Sequence, residues 1–247
     1  LARSVEYQYV LDMNYSIIRR TTGLVLRFEA MFLILPALTG FIYRELAGAI
    51  YLLLAVAYFL LGNLLNLSVR KDDSTDYFTK EGFISVAMVW IVISMCGALP
   101  FVVCGDIPKY SDALFETVSG FTTTGSSILT DVEALSHASL VWRSFTHWVG
   151  GMGVLVFVLA LLPEASGDSI YLMRAESPGP SVGKLVPKVR STAKILYEIY
   201  IAITIIEIIT LMFTGMSLYQ ASVITFGTVG TGGFAIKNVG CVAYTPL

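Results

Sequence analysis

Residues 228–232 read TVGTG, two glycines at alternate positions one residue beyond the mostly apolar segment SLYQASVITF at 217–226. Such a run is either a loop of ordinary glycines or a stretch whose successive carbonyls can be turned to one side, because glycine admits the alternating signs of φ this requires. The second reading makes three demands on the rest of the chain. It needs a membrane-spanning unit, a short helix ahead of the glycines, and further copies of the arrangement around an axis.

Composition meets the first demand. With 55% hydrophobic and 14% charged residues among 247, and a mean hydropathy of +0.74, the chain carries more apolar surface than a soluble domain of this length can hide. An all-α integral membrane protein is expected, since a helix satisfies its own backbone in lipid. The net charge is -2 and no basic run with interleaved aromatics occurs, which argues against nucleic acid as a partner. Cys96, Cys104 and Cys241 follow no metal-binding spacing, so neither a zinc site nor a disulfide framework is indicated. The opening stretch LARSVEYQYVLDMNYSIIRR begins with Leu and lacks the basic-then-apolar build of a signal peptide, which predicts a partial chain.

Apolar runs long enough to cross about 30 Å of hydrocarbon lie at 22–43, 46–67, 82–103, 141–162 and 195–214, predicting five spans. Basic residues set their direction. Eleven of them, including Arg19, Arg20, Arg70, Lys71, Arg174 and Lys188, fall before the first span, between the second and third, or between the fourth and fifth. Only Arg44, Lys109 and Lys237 fall in the alternate segments, so the N-terminus is predicted to be cytoplasmic in a multi-pass protein of the cell inner (plasma) membrane. The Pro-, Gly- and Ser-rich stretch 163–194 is then a cytoplasmic connector rather than a folded domain.

The two long outer segments repeat. SGFTTTGSSI at 119–128 aligns with TFGTVGTGGF at 225–234 on their shared Thr-Gly, which pairs Thr124 and Gly125 with Thr231 and Gly232. Ahead of each lies a stretch of two to three helical turns, SDALFETVS at 111–119 and SLYQASVITF at 217–226, and ahead of each of those a full span. The predicted organisation is a two-helix extension at 1–67, a helix/pore-loop/helix unit at 78–162, the connector, and a second unit at 195–247 truncated after its glycines. A re-entrant loop needs protein or a watery cavity around it, so this chain is read as the N-terminal part of a longer protein.

The residue types suit a dehydrated cation. TVGTG differs by one residue from the TVGYG loop with which potassium channels replace an ion's water by carbonyl oxygens. Threonine hydroxyls add oxygens to such a cage. The predicted filter is Thr122, Thr123, Thr124 and Gly125 in the first copy, with Thr228, Val229, Gly230, Thr231 and Gly232 in the second. Asp106, Asp112, Asp131 and Glu133 either concentrate cations at the mouth or are ordinary loop acids.

Other polar residues carry weighed readings. Glu207, at mid-span, is a functional carboxylate or a buried paired one. Glu116 is expected to hold backbone or hydroxyl groups behind the filter, His147 with Trp148 to be a packed wall, and Arg27 with Glu29 to snorkel or pair. Gly150, Gly151 and Gly153 predict a close helix approach or a hinge. GTGGFA at 230–235 fits the G-x-G-x-x-A dinucleotide pattern, but a span precedes it where a strand is needed, so no nucleotide is assigned there. An intramembrane hydrolase is the enzymatic rival, and neither G-x-S-x-G nor a nameable Ser-His-Asp set supports it.

FETVSGFTTTGSS at 115–127, RSFTHWVGGMGVLVFVLALLP at 143–163 and TFGTVGTGGF at 225–234 together resemble the Trk/Ktr/HKT superfamily of potassium transporters, most closely its bacterial TrkH type. The resemblance covers nearly the whole chain. It implies four helix/pore-helix/helix units around a pseudo-four-fold pore, with Gly125 and Gly232 in the filter-glycine places. It also implies a homodimer in the lipid membrane and a cytoplasmic nucleotide-binding regulatory ring of the TrkA type. The expected function is potassium uptake through a carbonyl-lined filter, as a channel or a symporter, with potassium the transported ligand, no covalently bound cofactor and no enzymatic chemistry. The alternatives are a sodium-permeable transporter of the same fold and a non-conducting scaffold.

Overall fold

The computed structural model describes residues 15–67, 79–153 and 189–244, and every regular element among them is helical. In chain order these are α1 (Tyr15–Phe32), α2 (Ile34–Ile42), α3 (Leu46–Leu67), α4 (Thr79–Cys104), α5 (Tyr110–Phe121), α6 (His137–Gly151), α7 (Val189–Phe213) and α8 (Leu218–Val229), followed by a 3-10 turn over Gly240–Tyr244. Four stretches are long and apolar enough to cross a membrane: Ile18–Ile42, Leu46–Leu67, Ile84–Cys104 and Ala193–Phe213. They match four of the five expected spans. The fifth, 141–162, is described only to residue 153, and residues 154–162 lie outside the described residues along with 68–78 and most of the connector.

Two details differ from the sequence reading. The first span is broken at Leu33, because Pro36 has no N–H to give to the Phe32 carbonyl; the bonds from Leu33 N to Glu29 O and from Ala37 N to Leu33 O carry the chain across the break. The connector is shorter than 163–194, since residues 189–194 already belong to α7, whose exposed start carries a Lys194–Glu198 pair one turn apart.

Helix α6 sits at the centre. It packs against α2, α3, α5 and α8, and every residue from Ala138 to His147 is buried. Such a helix must satisfy polar groups on all sides. Trp142 Nε1 donates to Gly97 O at 2.8 Å on α4, Tyr51 OH and Ser139 Oγ share a hydrogen bond of 3.0 Å toward α3, and Trp148 Nε1 reaches Thr204 Oγ1 on α7 at 2.9 Å. These bonds hold neighbours of both pore loops to one rod. By contrast α7 leaves most of its apolar side chains exposed, as a lipid- or partner-facing span does.

The N-terminal start of α6 is capped twice. Ser136 Oγ accepts from Ser139 N at 3.3 Å, and the Glu45 carboxylate, from the α2–α3 turn, accepts from His137 N (3.0 Å), His137 Nδ1 (2.7 Å) and Ala138 N (3.3 Å). Partial burial pushes the Glu45 carboxyl up, but the hydrogen bonds from His137 and Ala138 outweigh it and hold the group below its ordinary 4.5. A lowered carboxylate stabilises the fold fully above the ordinary value and loses that contribution as pH falls through the lowered one. Glu45→Gln is therefore expected to cost about 1 kcal/mol, the usual worth of a helix N-terminal cap. It should also flatten the acid limb of thermal stability below about pH 4.5. Melting curves of both proteins between pH 3 and 7 check this (roughly the carboxylate range), and an unchanged acid limb in the variant counts against the cap.

Candidate functional site

The two pore helices, α5 and α8, each have twelve residues, about 18 Å of helix, too short to cross and long enough to bring a chain to mid-membrane. Both are started by local chemistry. In α8 Ser217 and Gln220 form a reciprocal capping box, and in α5 Lys109 is extended ahead of an acidic first turn containing Asp112. Their C-terminal ends, where the peptide dipoles place partial negative charge, lead directly into the two glycine-containing segments.

Beyond each helix the backbone follows one pattern. In the first copy Thr122 N bonds to Val118 O (2.9 Å), Thr123 N to Gly120 O (3.0 Å), Thr124 N to Ser119 O (2.9 Å) and Gly125 N to Ser119 O (3.5 Å). In the second, Gly230 N bonds to Phe226 O (3.2 Å), Thr231 N to Thr228 O (2.8 Å), Gly232 N to Gly227 O (3.0 Å) and Gly233 N to Gly227 O (2.9 Å). Positive φ falls at Thr123 (54°) and Gly125 (74°), and again at Thr231 (61°) and Gly233 (83°). Four successive N–H groups are thus turned back onto the pore helix. No backbone hydrogen bond among the described residues ends on the carbonyls of 122–125 or 230–233.

This pattern corrects the sequence alignment by one residue. Thr231 is the counterpart of Thr123, not of Thr124, and Gly125 corresponds to Gly233, with Gly232 in the place of Thr124. The alignment on the shared Thr-Gly was misled because the residues in the left-handed region are a threonine and a glycine in each copy, not the pair Gly230 and Gly232. Thr228 and Val229 also move: both lie in the last turn of α8, and the Thr228 carbonyl already accepts from Thr231 N. Of the residues read from the sequence as filter, Thr122, Thr123, Thr124, Gly125, Gly230, Thr231 and Gly232 remain in the two segments, and Gly233 joins them.

Packing explains the glycines that φ does not. A Cβ on Gly230 would run into the His147 carbonyl, and one on Gly232 would overlap the His147 ring. In the first copy the threonines use their hydroxyls: Thr122 Oγ1 donates to Val118 O at 2.7 Å and lies 2.8 Å from Thr124 Oγ1. Where the segments meet, a Cβ on Gly125 would overlap the Gly232 carbonyl oxygen.

The wall behind both segments comes from α6. Gly150 lies against the Phe121 carbonyl and Gly151 against Gly230 Cα, so these two glycines serve the close approach rather than a hinge. His147, fully buried, stacks on Phe234 at 3.9 Å and accepts from Phe234 N at 3.5 Å, the packed wall residue expected. Glu116 likewise takes hydroxyl and backbone donors, from Ser127 Oγ (2.9 Å) and Ile128 N (3.0 Å). What the sequence reading missed is its third partner, Arg143 Nε at 2.5 Å, buried with it. The signal was present, since a lone arginine inside an apolar run seeks an acid.

The loop acids are braces. Asp106 accepts from Ser136, Asp112 pairs with Lys109, and Asp131 and Glu133 clasp the chain after the second segment through Asn238 and Lys237. Hydrogen bonds from Lys237 and Asn238 hold the Glu133 carboxyl below its ordinary range. Glu207 is half-buried beside the Thr228 hydroxyl of α8. Arg27 and Glu29 form no ion pair with each other among the described residues; Glu29 is wholly buried near Gly97 instead of snorkelling.

The family profile TrkH, described as a cation transport protein, matches residues 51–241. The potassium uptake protein TrkH of Escherichia coli K12 is 35% identical over 229 residues, covering 92% of this chain and 47% of that protein. TrkG of the same organism is 32% identical over 231 residues, with the same two coverages. The crystal structure of the potassium transporter TrkH from Vibrio parahaemolyticus superposes with a TM-score of 0.74 at 29% identity, covering 92% of this chain and 45% of that one. The chain spans about half the length of the curated relatives it matches.

Proposed function

Because the chain belongs to the TrkH family of cation transport proteins, we propose that it supplies two of four pore-loop units of a potassium uptake pathway in the cell inner membrane. The observation that carries the reading is the repeated backbone of 122–125 and 230–233. Each segment turns four N–H groups back onto a pore helix and leaves four carbonyls without a backbone donor at that helix's negative end. A dehydrated monovalent cation is the ligand such carbonyls suit, and membership places the chain among transport proteins rather than enzymes. Gly125 and Gly233 stand in the two filter-glycine positions of this reading.

The remaining assignments follow the same reading. The N-terminus is cytoplasmic, with residues 1–67 an extension, 78–162 the first unit, 163–188 a cytoplasmic connector and the chain from 189 onward the second unit. The assembly is a homodimer, and the connector with the 68–78 loop faces a TrkA-type nucleotide-binding ring. Support for the direction comes from the eleven basic residues on one side of the spans.

The test is flux of potassium and sodium into liposomes carrying the full-length protein, with and without an imposed voltage. Potassium-selective flux that follows voltage is the expected result. Flux that requires a sodium or proton gradient replaces the channel with a coupled transporter and directs attention to Glu207. Equal sodium flux, or none of either ion, overturns potassium selectivity or conduction respectively.

A further inference from the structure

Both filter segments are followed by chain that must be held outward without a regular element to hold it. In the first copy the residues are Ser127 and Ile128, two and three positions beyond Gly125; in the second they are Phe234 and Ala235, one and two beyond Gly233. One buried ion pair reaches all four. Glu116 accepts from Ser127 Oγ and Ile128 N, while its partner Arg143 donates Nη1 to Ala235 O at 3.1 Å and lays its guanidinium 3.5 Å above the Phe234 ring. Glu116 stands on α5 and Arg143 on α6, which belongs to the first unit and packs against the pore helices of both.

We propose that Glu116 and Arg143 are a positioning pair that sets ion selectivity by locking the exit strands of the two filter segments to each other. The proposal rests on the potassium-filter reading above. A buried ion pair is a poor source of net stability, because desolvating two charges offsets most of their attraction; what it gives when fully hydrogen-bonded is fixed geometry. Here the carboxylate receives three groups and the guanidinium reaches three partners, Glu116 on α5 and Phe234 and Ala235 beyond the second segment. Only the planar fork of arginine does this: a lysine ammonium keeps the charge and has no face to lie on Phe234. Carbonyls that discriminate potassium from sodium do so by the size or field of their cage. Letting one exit strand move relative to the other should therefore change preference before it changes conduction.

The test uses the full-length protein in liposomes and in detergent, comparing the parent with Arg143→Lys, Glu116→Gln and the double variant. Arg143→Lys is expected to lower potassium preference over sodium about tenfold with potassium flux within about twofold of the parent, a difference near 1.4 kcal/mol. The double variant should lose no more than the worse single, since both act on one device. A second readout does not depend on flux: potassium should raise the melting temperature of the parent more than sodium does, and that difference should vanish in Arg143→Lys while the melting temperature in sodium stays. If Arg143→Lys fails to fold, Glu116→Gln, which should melt lower in both salts because it leaves buried Arg143 without its charge partner, still carries the flux ratio and the potassium-over-sodium difference in melting temperature. A parent that is potassium-selective with variants equally selective, or single effects that add in the double, overturns the pairing. A parent with no potassium preference overturns the filter reading instead, so the two failures are distinguishable.

Discussion

Gly125→Ala is expected to reduce the preference for potassium over sodium by at least about tenfold, through two separate penalties. Gly125 sits at φ 74°, where an L-residue costs about 1–2 kcal/mol, and its added methyl would run into the Gly232 carbonyl oxygen of the neighbouring segment. Gly233→Ala carries only the first penalty: its φ is 83° and nothing lies within 4 Å of the new Cβ, so its loss of preference should be smaller. Gly232→Ser fails for another reason, since its side chain meets the His147 ring while its φ is not positive. Adding His147→Ala to Gly232→Ser makes room and should restore part of the preference. No partner change should rescue Gly125→Ala, where backbone is in the way. The measurement is the ratio of potassium to sodium flux in liposomes. A parental ratio in Gly125→Ala would sink the assignment of the first segment, and an unrescued Gly232→Ser would sink the one-residue shift between the copies.

Arg143→Met is expected to destabilise the folded protein by about 3–5 kcal/mol, because it leaves the Glu116 carboxylate buried without its charge partner. Glu116 is 1% exposed and Arg143 3%, so water cannot take the place of either. The double variant Glu116→Gln/Arg143→Met removes both charges and should recover most of that loss, since the cost lies in the orphaned charge rather than in the missing attraction. Chemical unfolding of the three proteins in detergent compares them. Equal stability of Arg143→Met and its parent would mean that Glu116 finds another partner or is not held as described. The lysine variant differs from the methionine one in keeping the charge, which is why it isolates geometry from stability.

The spans, the pore helices and the existence of two related segments were legible from the sequence because each is a short-range property. Twenty apolar residues in succession read as a crossing whatever surrounds them. The Ser217–Gln220 capping box and the apolar runs ending in glycine are local too. The packed role of His147 and the backbone-holding role of Glu116 were also legible, since a ring inside a span or a carboxyl on a short helix ahead of a glycine-containing segment has few other uses. The break at Leu33 was readable in principle from Pro36, which withholds a hydrogen bond from a known position.

Register and partnership were not readable. The shared Thr-Gly gave an alignment one residue off, because a string of glycines does not say which of them has positive φ and which merely faces a neighbour. Only the packing of His147 on α6 against the second segment separates Gly230 and Gly232, excluded from side chains by it, from Gly233, which needs its dihedral. The partner of Glu116 lies 27 residues away and the carbonyl that Arg143 reaches lies 92 away, distances over which no periodicity carries information. Hydropathy and local capping, which depend on a residue and its near neighbours, determined the membrane fold and the place of the two segments proposed as the filter. Which carbonyls are left without a backbone donor, and what holds the chain beyond them, was decided by contacts between distant segments, and these exist only once α6 stands between the two pore helices.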